Sequence, residues 1–161
     1  MAQARNGSEA ADHSRLIEDF GLRIGRAMGW PPMAGRLAGI LMLSQDPMTL
    51  SELQQALGAS KGSVSETTRL LITNGTVDRV KRPGVRQAVY EWRGDAWVGC
   101  LQHQLDQTQQ LLELAEAAQE QGRDLPPVQQ TRLRDMRTYY AFMVEQMRRL
   151  LDDYKRHLLV E

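Results

Sequence analysis

The chain has 161 residues, and its 20 basic and 20 acidic side chains give a formal net charge of zero at pH 7. A hydrophobic fraction of 42% is enough for a folded core, so the composition excludes a disordered chain. No stretch approaches the roughly 18 consecutive apolar residues of a membrane span, and no signal peptide is visible, which predicts a cytoplasmic protein without a membrane partner. The single cysteine, Cys100, excludes an internal disulfide and fits a reducing compartment.

The N-terminal residues predict a tail followed by two helices. Residues 1–11 are small and polar without periodicity, and a disordered tail is expected there. Residues 12–46 form the N-terminal helices, which we expect to support the next module or a dimer. The first of these helices is predicted to begin at Asp12 or Ser14 and to end near Met28.

The second N-terminal helix is predicted from Met33 to Ser44. The preceding segment Gly29-Trp30-Pro31-Pro32 breaks the chain, because proline removes a backbone donor and glycine disfavours a helix. Gly35 and Gly39 lie one turn apart on this helix, so a neighbouring helix or chain can approach it closely.

Residues 47–94 begin with two short predicted helices joined by a tight turn. The first has an apolar stripe at helical spacing, formed by Leu50, Leu53 and Leu57. Gly58 fits the position after its last residue, where a residue without Cβ adopts a positive φ at low cost. Ser60 fits the N-cap of the second helix, because its hydroxyl can accept from a free backbone N–H of the first turn.

The second short helix is followed by a predicted β-hairpin. Its buried face is predicted to consist of Val64, Thr67 and Leu71, and Asn74-Gly75 ends it. Residues 76–80 and 87–92 alternate apolar and polar side chains, as half-buried strands do. Pro83-Gly84 between them suits the central positions of a type II turn.

Positive charge is concentrated in this part of the chain. From Lys61 to Arg93 there are seven basic and three acidic residues, whereas residues 95–161 carry eight basic and eleven acidic ones. A basic face of this kind is the electrostatic signature of nucleic-acid binding. Short surface hairpins are also often basic for solubility alone, and this alternative is open.

Residues 95–161 predict a C-terminal helical arm. One helix is expected from Asp95 to Gln119, and a second from Pro127 nearly to the C-terminus, with a break over residues 122–127. The second helix has about 32 residues and a length of roughly 48 Å. Its apolar side chains recur at steps of three and four, as in a coiled-coil seam. The predicted dimerisation residues are Met136, Tyr140, Met143, Met147, Leu150 and Tyr154.

Two partners for this apolar stripe are left open by the sequence. A small module cannot cover the whole stripe, so a second copy of the chain or another protein is expected to bury much of it. A second copy is the simpler solution. Packing against the preceding helix of the same chain is the alternative for part of the stripe.

Several motifs of residues 35–86 can be compared with a known family. They are Gly35-Arg36-Leu37-Ala38-Gly39-Ile40-Leu41, then Leu53 and Leu57-Gly58, then Ser60-Lys61-Gly62-Ser63-Val64-Ser65, Asn74-Gly75 and the basic Pro83-Gly84 hairpin. Together they resemble the MarR-type winged helix-turn-helix transcription regulators, and more closely the GbsR-like branch. The resemblance implies a mainly α fold with a small antiparallel hairpin wing and long terminal dimerisation helices. It also implies a homodimeric repressor that responds to a ligand.

The residues expected to contact double-stranded DNA lie mainly on the second short helix and the hairpin. The major groove of B-DNA admits one α-helix, whose N-terminal residues reach base edges, and the hairpin is expected along the phosphate backbone or in a minor groove. The resemblance implies a phosphate contact for Arg36, and an ordinary surface arginine is the alternative. The expected contacts are Arg36, Ser60, Lys61, Ser63, Ser65, Glu66, Arg69, Lys81, Arg82 and Arg86.

A candidate effector pocket is formed by Trp30, Trp92 and Trp97. Aromatic faces can hold a quaternary ammonium by cation–π attraction, and the resemblance points to a choline-type osmolyte. Ordinary packing of these rings in the core is the alternative.

Motifs for catalysis, for a cofactor and for a metal are missing from the sequence. It has no glycine-rich phosphate loop, no serine elbow and no paired-carboxylate motif, so an enzyme is not expected. Cys100 and His103 have metal-like spacing, but no second pair completes a four-ligand zinc site.

Two functions of different classes follow. The first is a DNA-binding transcription regulator that acts as a homodimer on a palindromic operator. The alternative is a winged-helix module that joins proteins and does not bind DNA. A cluster of basic residues on one face favours the first, because a protein adaptor has no need for it; the cluster comprises Lys61, Arg69, Lys81, Arg82 and Arg86.

Overall fold

The computed structural model describes the backbone of residues 2–160 and the side chains of residues 13–160. The chain forms two compact units, Met1–Ala96 and Trp97–Glu161. The fold is mainly α-helical with a small antiparallel sheet, as the sequence predicts. Within the described residues, no helix is long and apolar enough to cross a membrane.

The winged helix-turn-helix order of elements is present in the first unit. Its elements are α1 (Ala2–Met28), α2 (Pro32–Leu43), β1 (Met48–Thr49), α3 (Leu50–Leu57), α4 (Lys61–Thr73), β2 (Val77–Val80) and β3 (Val89–Trp92). The second unit contains α5 (Ala96–Gln121), which begins at the last residue of the first unit, and α6 (Pro127–Leu158). The boundaries of α2 and α5 lie within one or two residues of the predicted ones.

Helix α1 reaches closer to the N-terminus than the sequence predicts. Its backbone is helical from Ala2, whereas a start at Asp12 or Ser14 after a disordered tail over residues 1–11 was expected. The side chains of residues 2–12 lie outside the described part of the chain, as does Met1. Four of residues 2–11 are alanine, the residue with the highest helix propensity, which favours a helix even without an apolar stripe.

Glycines at the contact between α1 and α2 allow these helices to approach closely. A Cβ added to Gly21 would lie 2.4 Å from Arg36 Cγ, and one added to Gly35 would lie 2.7 Å from the Gly21 carbonyl oxygen. A Cβ on Gly39 would meet Phe20 at 3.3 Å. The close approach predicted at Gly35 and Gly39 is therefore confirmed, and the neighbour is α1 of the same chain.

The core of the first unit holds α2, α3, α4 and the sheet together. Each large apolar side chain removed from water contributes about 1.5–3 kcal/mol, so this core fixes the orientation of α4. Its buried members are Trp30, Ala34, Leu37, Ala38, Leu41, Leu53, Leu57, Val64, Leu71, Val77 and Tyr90.

The sheet has three strands in the order β1-β3-β2, and both pairings are antiparallel. The predicted hairpin is formed by β2 and β3, with Val77 opposite Trp92 and Val80 opposite Val89. Strand β1 was not predicted, because two residues are too short to show an alternating pattern. It fixes the start of α3 against the hairpin, since Thr49 lies opposite Val89.

The second unit is a hairpin of α5 and α6 with its own small core. Leu105 of α5 is buried with Val144 and Leu151 of α6. Met147 is partly buried against this core, and its sulfur accepts a hydrogen bond from the Thr108 hydroxyl at 3.4 Å. The alternative of packing within the chain therefore holds for part of the predicted seam, including Met147.

Candidate nucleic-acid interface

The start of α3 is fixed by a capping box. Thr49 is the N-cap, and its Oγ1 accepts from the Glu52 backbone N–H at 3.2 Å. In return, the Glu52 carboxylate accepts from the Thr49 backbone N–H at 2.6 Å and from its hydroxyl at 2.8 Å. These hydrogen bonds to the charged form hold the pKa of Glu52 below its usual range.

The tight turn between α3 and α4 has the conformation that its sequence predicts. Gly58 has a φ of 61°, in the left-handed region that glycine adopts without steric cost. Ser60 is the N-cap of α4, since its Oγ accepts from the Ser63 backbone N–H at 3.2 Å. Both residues depend only on local geometry, and both predictions are confirmed.

The buried face of α4 is shifted by one residue from the predicted one. Thr68 is 1% exposed and packs with Val64 and Leu71, whereas Thr67 is only partly buried. The Thr67 hydroxyl donates to the Ser63 carbonyl oxygen at 2.8 Å within the helix. The prediction for Thr67 was wrong because steps of three and four from Val64 are equally compatible with a helical stripe.

The opposite face of α4 is open to solvent. Lys61, Gly62, Glu66 and Arg69 are all exposed there. Ser65 is partly buried beside them. Ser63 turns toward α2 instead, because its hydroxyl donates to the Met33 sulfur at 3.1 Å. Its predicted DNA contact therefore requires that this hydrogen bond be exchanged.

The hairpin tip presents the predicted basic residues to solvent. Val85 N donates to Arg82 O at 3.1 Å, and Gly84 has a φ of 78°, as a type II turn requires. Lys81, Arg82 and Arg86 are exposed around this turn.

Arg79 of β2 joins this basic surface, although the sequence prediction left it out of the contact residues. Arg79 lines an open pocket of about 600 Å³ together with Lys81, Arg82 and Arg86. Its place in the basic run of residues 79–86 was the signal that could have identified it.

The base of the hairpin is fixed to α3 by three sets of contacts. Leu50 N donates to Ala88 O at 3.0 Å, and Ser51 Oγ donates to Gln87 Oε1 at 2.8 Å. The pairing of β1 with β3 adds the third. The position of the basic tip relative to α3 and α4 is therefore determined by the fold of the first unit.

Two of the basic residues in this region are held by acidic partners. Arg36 Nη2 lies 2.8 Å from Glu18 Oε1 of α1, so its expected phosphate contact competes with an ion pair. Arg93 donates from Nε and Nη2 to the two carboxylate oxygens of Asp95 at 2.8 and 2.9 Å. These bonds raise the pKa of Arg93 and lower the pKa of Asp95.

The remaining basic side chains of α4 and the hairpin have no ion pair within the described residues. An unpaired guanidinium or ammonium on the surface keeps its full capacity to bind an anion. The residues in question are Lys61, Arg69, Arg79, Lys81, Arg82 and Arg86.

The three tryptophans are divided between the two units. Trp30 is 8% exposed and belongs to the core of the first unit, and Trp92 is packed against that core. Trp97 is 45% exposed at the start of the second unit. Trp30 is therefore packed in the core, as the alternative interpretation expected. The effector pocket stays a prediction.

Cys100 is a buried residue in a setting that opposes thiolate formation. It is 6% exposed, and burial raises the pKa of its thiol, while a hydrogen bond from Gln104 partly opposes that shift. A reactive cysteine needs the opposite combination of exposure and a lowered pKa. Among the described residues, no group of three or more histidine, cysteine, aspartate and glutamate side chains could hold a metal ion.

The arrangement matches the requirements of duplex binding. A single exposed helix face, short of bulky side chains at its start, fits the width of a major groove. A rigidly placed basic hairpin beside it can reach the phosphate backbone.

Comparison with known proteins gives matches over both units. Residues 95–157 match the model of the MmpR5-like MarR family transcriptional regulators. The chain is 32% identical over 112 residues to the HTH-type transcriptional regulator MmpR5 of Mycobacterium tuberculosis. The aligned region covers 69% of this chain and 68% of that protein. It is 39% identical over 67 residues to the HTH-type transcriptional repressor OpcR of Bacillus subtilis, covering 42% and 36% of the two chains.

Some of these matches cover only part of the relatives. The matched part spans 36% of OpcR and 48% of a further Bacillus subtilis regulator. A crystal structure described as that of a transcriptional regulator has a TM-score of 0.82 and 28% identity, over 90% of this chain and 99% of that one. From the identity to MmpR5 over more than two thirds of both proteins, the chain belongs to the MarR family of winged helix-turn-helix transcriptional regulators.

Proposed function

We propose that this regulator binds double-stranded DNA as a homodimer and represses transcription from a palindromic operator. The observation that carries the proposal is the exposed face of α4 beside a basic hairpin whose exposed cations form no ion pair with the described residues. In the proposed complex, α4 enters the major groove and the hairpin follows the phosphate backbone.

The side chains on α4 divide into two roles. Lys61 and Arg69 are exposed and unpaired, so a guanine edge or a phosphate can take up their donors. Glu66 lies between them and is repelled by phosphate, which favours its placement against a cytosine amino group. These residues supply sequence choice in the proposal.

The hairpin supplies affinity in the proposal. Lys81, Arg82 and Arg86 surround one turn at its tip, with Arg79 on the adjoining strand. Phosphate contacts release condensed counterions, so each contributes to the steepness of the salt dependence and little to sequence choice.

A second copy of the chain is the proposed partner of α6. Tyr139, Phe142 and Leu150 are 57%, 59% and 56% exposed along this helix, outside the part that packs on α5. Leu150 belongs to the predicted seam, and Tyr139 and Phe142 each directly precede one of its residues, Tyr140 and Met143, so these exposed side chains lie beside the seam on α6. A single α4 offers few contacts to DNA, whereas two copies on a palindromic site double them.

Repression and membership of the GbsR-like branch are proposed on narrower grounds. One relative is named a repressor, and the motif Ser60-Lys61-Gly62-Ser63-Val64-Ser65 supports the GbsR-like branch. A ligand response, with a quaternary ammonium as the effector, is proposed on the resemblance and on cation–π chemistry. Saturable quenching of tryptophan fluorescence by choline tests that part separately.

The alternative function is a protein-binding winged helix. The exposed apolar residues of α6 would also suit a different protein partner. The six unpaired cations of α4 and the hairpin favour DNA over this alternative, because a protein adaptor gains nothing from their clustering.

Fluorescence anisotropy tests the proposal. A duplex is selected from a random pool with the wild-type protein, and its affinity is compared with that of random duplex at about 150 mM salt. We expect binding at least about 1000-fold tighter than to random duplex. Arg134→Ala removes an exposed arginine of α6, outside α4 and the hairpin, and is the control for arginine-to-alanine variants of the proposed interface. We expect its affinity for the selected duplex to equal that of the wild type. Equal affinity for selected and random duplexes would contradict the proposal.

A further inference from the structure

Gly62 is an exposed glycine inside a helix where the fold does not need one. It is the second residue of α4, and its φ is not positive. A Cβ added to it would meet no atom within 4 Å. Neither backbone conformation nor packing within the described chain therefore requires glycine at this position.

Other helical glycines of the first unit provide the contrast. A Cβ added to Gly21, Gly35 or Gly39 would come within 3.3 Å of an atom of the other helix, so these glycines allow α1 and α2 to pack, and one added to Gly25 would lie 3.2 Å from the Trp30 carbonyl oxygen. Gly62 has no such neighbour. Glycine is the least favourable residue for a helix after proline. At this open position it lowers the stability of α4, and no packing contact requires it.

The position of Gly62 on α4 is informative. With about 100° per residue, Gly62, Glu66 and Arg69 fall on one face, opposite the buried Val64, Thr68 and Leu71. This is the face that the proposed function places in the major groove. Lys61 precedes Gly62, and both are exposed in the first turn of α4.

We propose that Gly62 is a positioning residue that leaves room for a DNA strand close to the backbone of α4. The inference rests on the proposed function. A side chain at this position would hold the helix away from the groove, so that Lys61 and Arg69 reach base edges and phosphates less well. In the free protein, the Cβ of such a side chain would meet no atom of the described residues within 4 Å.

The test combines affinity and stability measurements on Gly62→Ala and Gly62→Leu. Both replacements improve helix propensity, so the melting temperature of the free protein should rise by about 2 °C. Affinity for the selected duplex should fall about tenfold for Gly62→Ala and further for Gly62→Leu, since the larger side chain creates the larger misfit. Opposite signs of the two effects distinguish a DNA-facing glycine from a structural one.

Gly94→Ala is the matched control. A Cβ on Gly94 also meets no atom within 4 Å, its φ is not positive, and it lies outside α4 and the hairpin. We expect this variant to bind the selected duplex as the wild type does.

The outcomes separate the inference from the function on which it rests. Specific binding by the wild type together with unchanged affinity of Gly62→Leu overturns the inference alone. A lower melting temperature for Gly62→Ala overturns it as well, because glycine would then be required by the fold. Absence of specific binding by the wild type overturns the proposed function and this inference with it.

Discussion

At the residue scale, the division of labour between Arg69 and Arg86 follows from where each side chain lies. Arg69 is on the exposed face of α4, and Arg86 is at the hairpin tip. A guanidinium in the major groove can pair with a guanine edge, whereas one on the backbone meets only phosphate. Their loss should therefore have different signatures.

We expect Arg86→Ala to weaken binding to all duplexes by similar factors and to reduce the slope of log affinity against log salt by about one unit. Arg69→Ala should lose about 1–3 kcal/mol on the selected duplex and relax the preference at one base pair. Anisotropy titrations over a salt series, on the selected duplex and its single-base variants, measure both effects. A loss for Arg86→Ala confined to one sequence would show that the hairpin tip recognises bases.

Residues whose role is local were the most predictable. Gly58 and Ser60 were identified correctly because a left-handed C′ residue and an N-cap hydroxyl depend only on adjacent backbone. Spacing alone could not predict that Thr68 is buried instead of Thr67, or that Ser63 donates a hydrogen bond to the Met33 sulfur. Both depend on which face of α4 the rest of the core selects.

At the element scale, α3 is a short helix whose start is held by a capping box. It has 8 residues, which is too short to be stable without tertiary support, and its capping box also joins it to β1. The Glu52 carboxylate is charged when it accepts the bonds from Thr49, and its lowered pKa links this cap to pH.

The sign of that linkage gives a prediction. Because the pKa of Glu52 is lower in the folded than in the unfolded chain, its stabilisation is complete above the ordinary carboxyl range and is lost as the pH falls through it. Glu52→Gln keeps a hydrogen-bonding side chain but loses the charge, so it should reduce the free energy of unfolding at neutral pH by about 0.3–0.5 kcal/mol at this solvent-screened position. The difference from the wild type should disappear in acid.

Urea denaturation at neutral and acidic pH measures this difference. Glu66→Gln is the control, because this exposed carboxylate has no hydrogen-bond partner among the described residues. A Glu52→Gln variant that stays less stable than the wild type by the same amount in acid would contradict the role of the charged cap.

Long elements with a strong period were predicted well, and short ones were not. Helix α6 has the expected 32 residues, and α2, α4 and α5 were placed within two residues. Strand β1 was missed, although it connects α3 to the hairpin. Its two residues carry no pattern, and its pairing with β3 joins residues that are far apart in the chain.

At the scale of the whole molecule, one side of α6 packs on α5 and another side is exposed. Val144 and Leu151 face α5 of the same chain, whereas Tyr139 and Phe142 are exposed. The sequence shows that all of these side chains are suited to burial, but periodicity does not show what covers each of them. Met147 packs against the core between α5 and α6, so part of the predicted seam is an internal contact, and its contact with a second copy stays a prediction.

We expect Phe142→Asp to convert the proposed dimer to a monomer, because a carboxylate at the contact cannot be desolvated without a partner. Ala141→Asp is the control, since this exposed residue is rotated by about 100° from Phe142 on α6. Light scattering of both variants at the same concentration measures the state. A Phe142→Asp protein that runs as a dimer would exclude this face of α6 from the interface.

The measurement that tests the central claim most directly is hydroxyl-radical footprinting of the wild-type protein on the selected duplex. Two copies of α4 in successive major grooves predict two protected regions related by two-fold symmetry, with centres about 10 base pairs apart or a multiple of that distance. With Arg86→Ala protein, we expect protection to weaken first at the backbone positions beside each major groove, where the hairpin is proposed to contact phosphate. A single unsymmetrical protected region, or none at concentrations that saturate binding, would contradict a homodimer that recognises a palindromic operator.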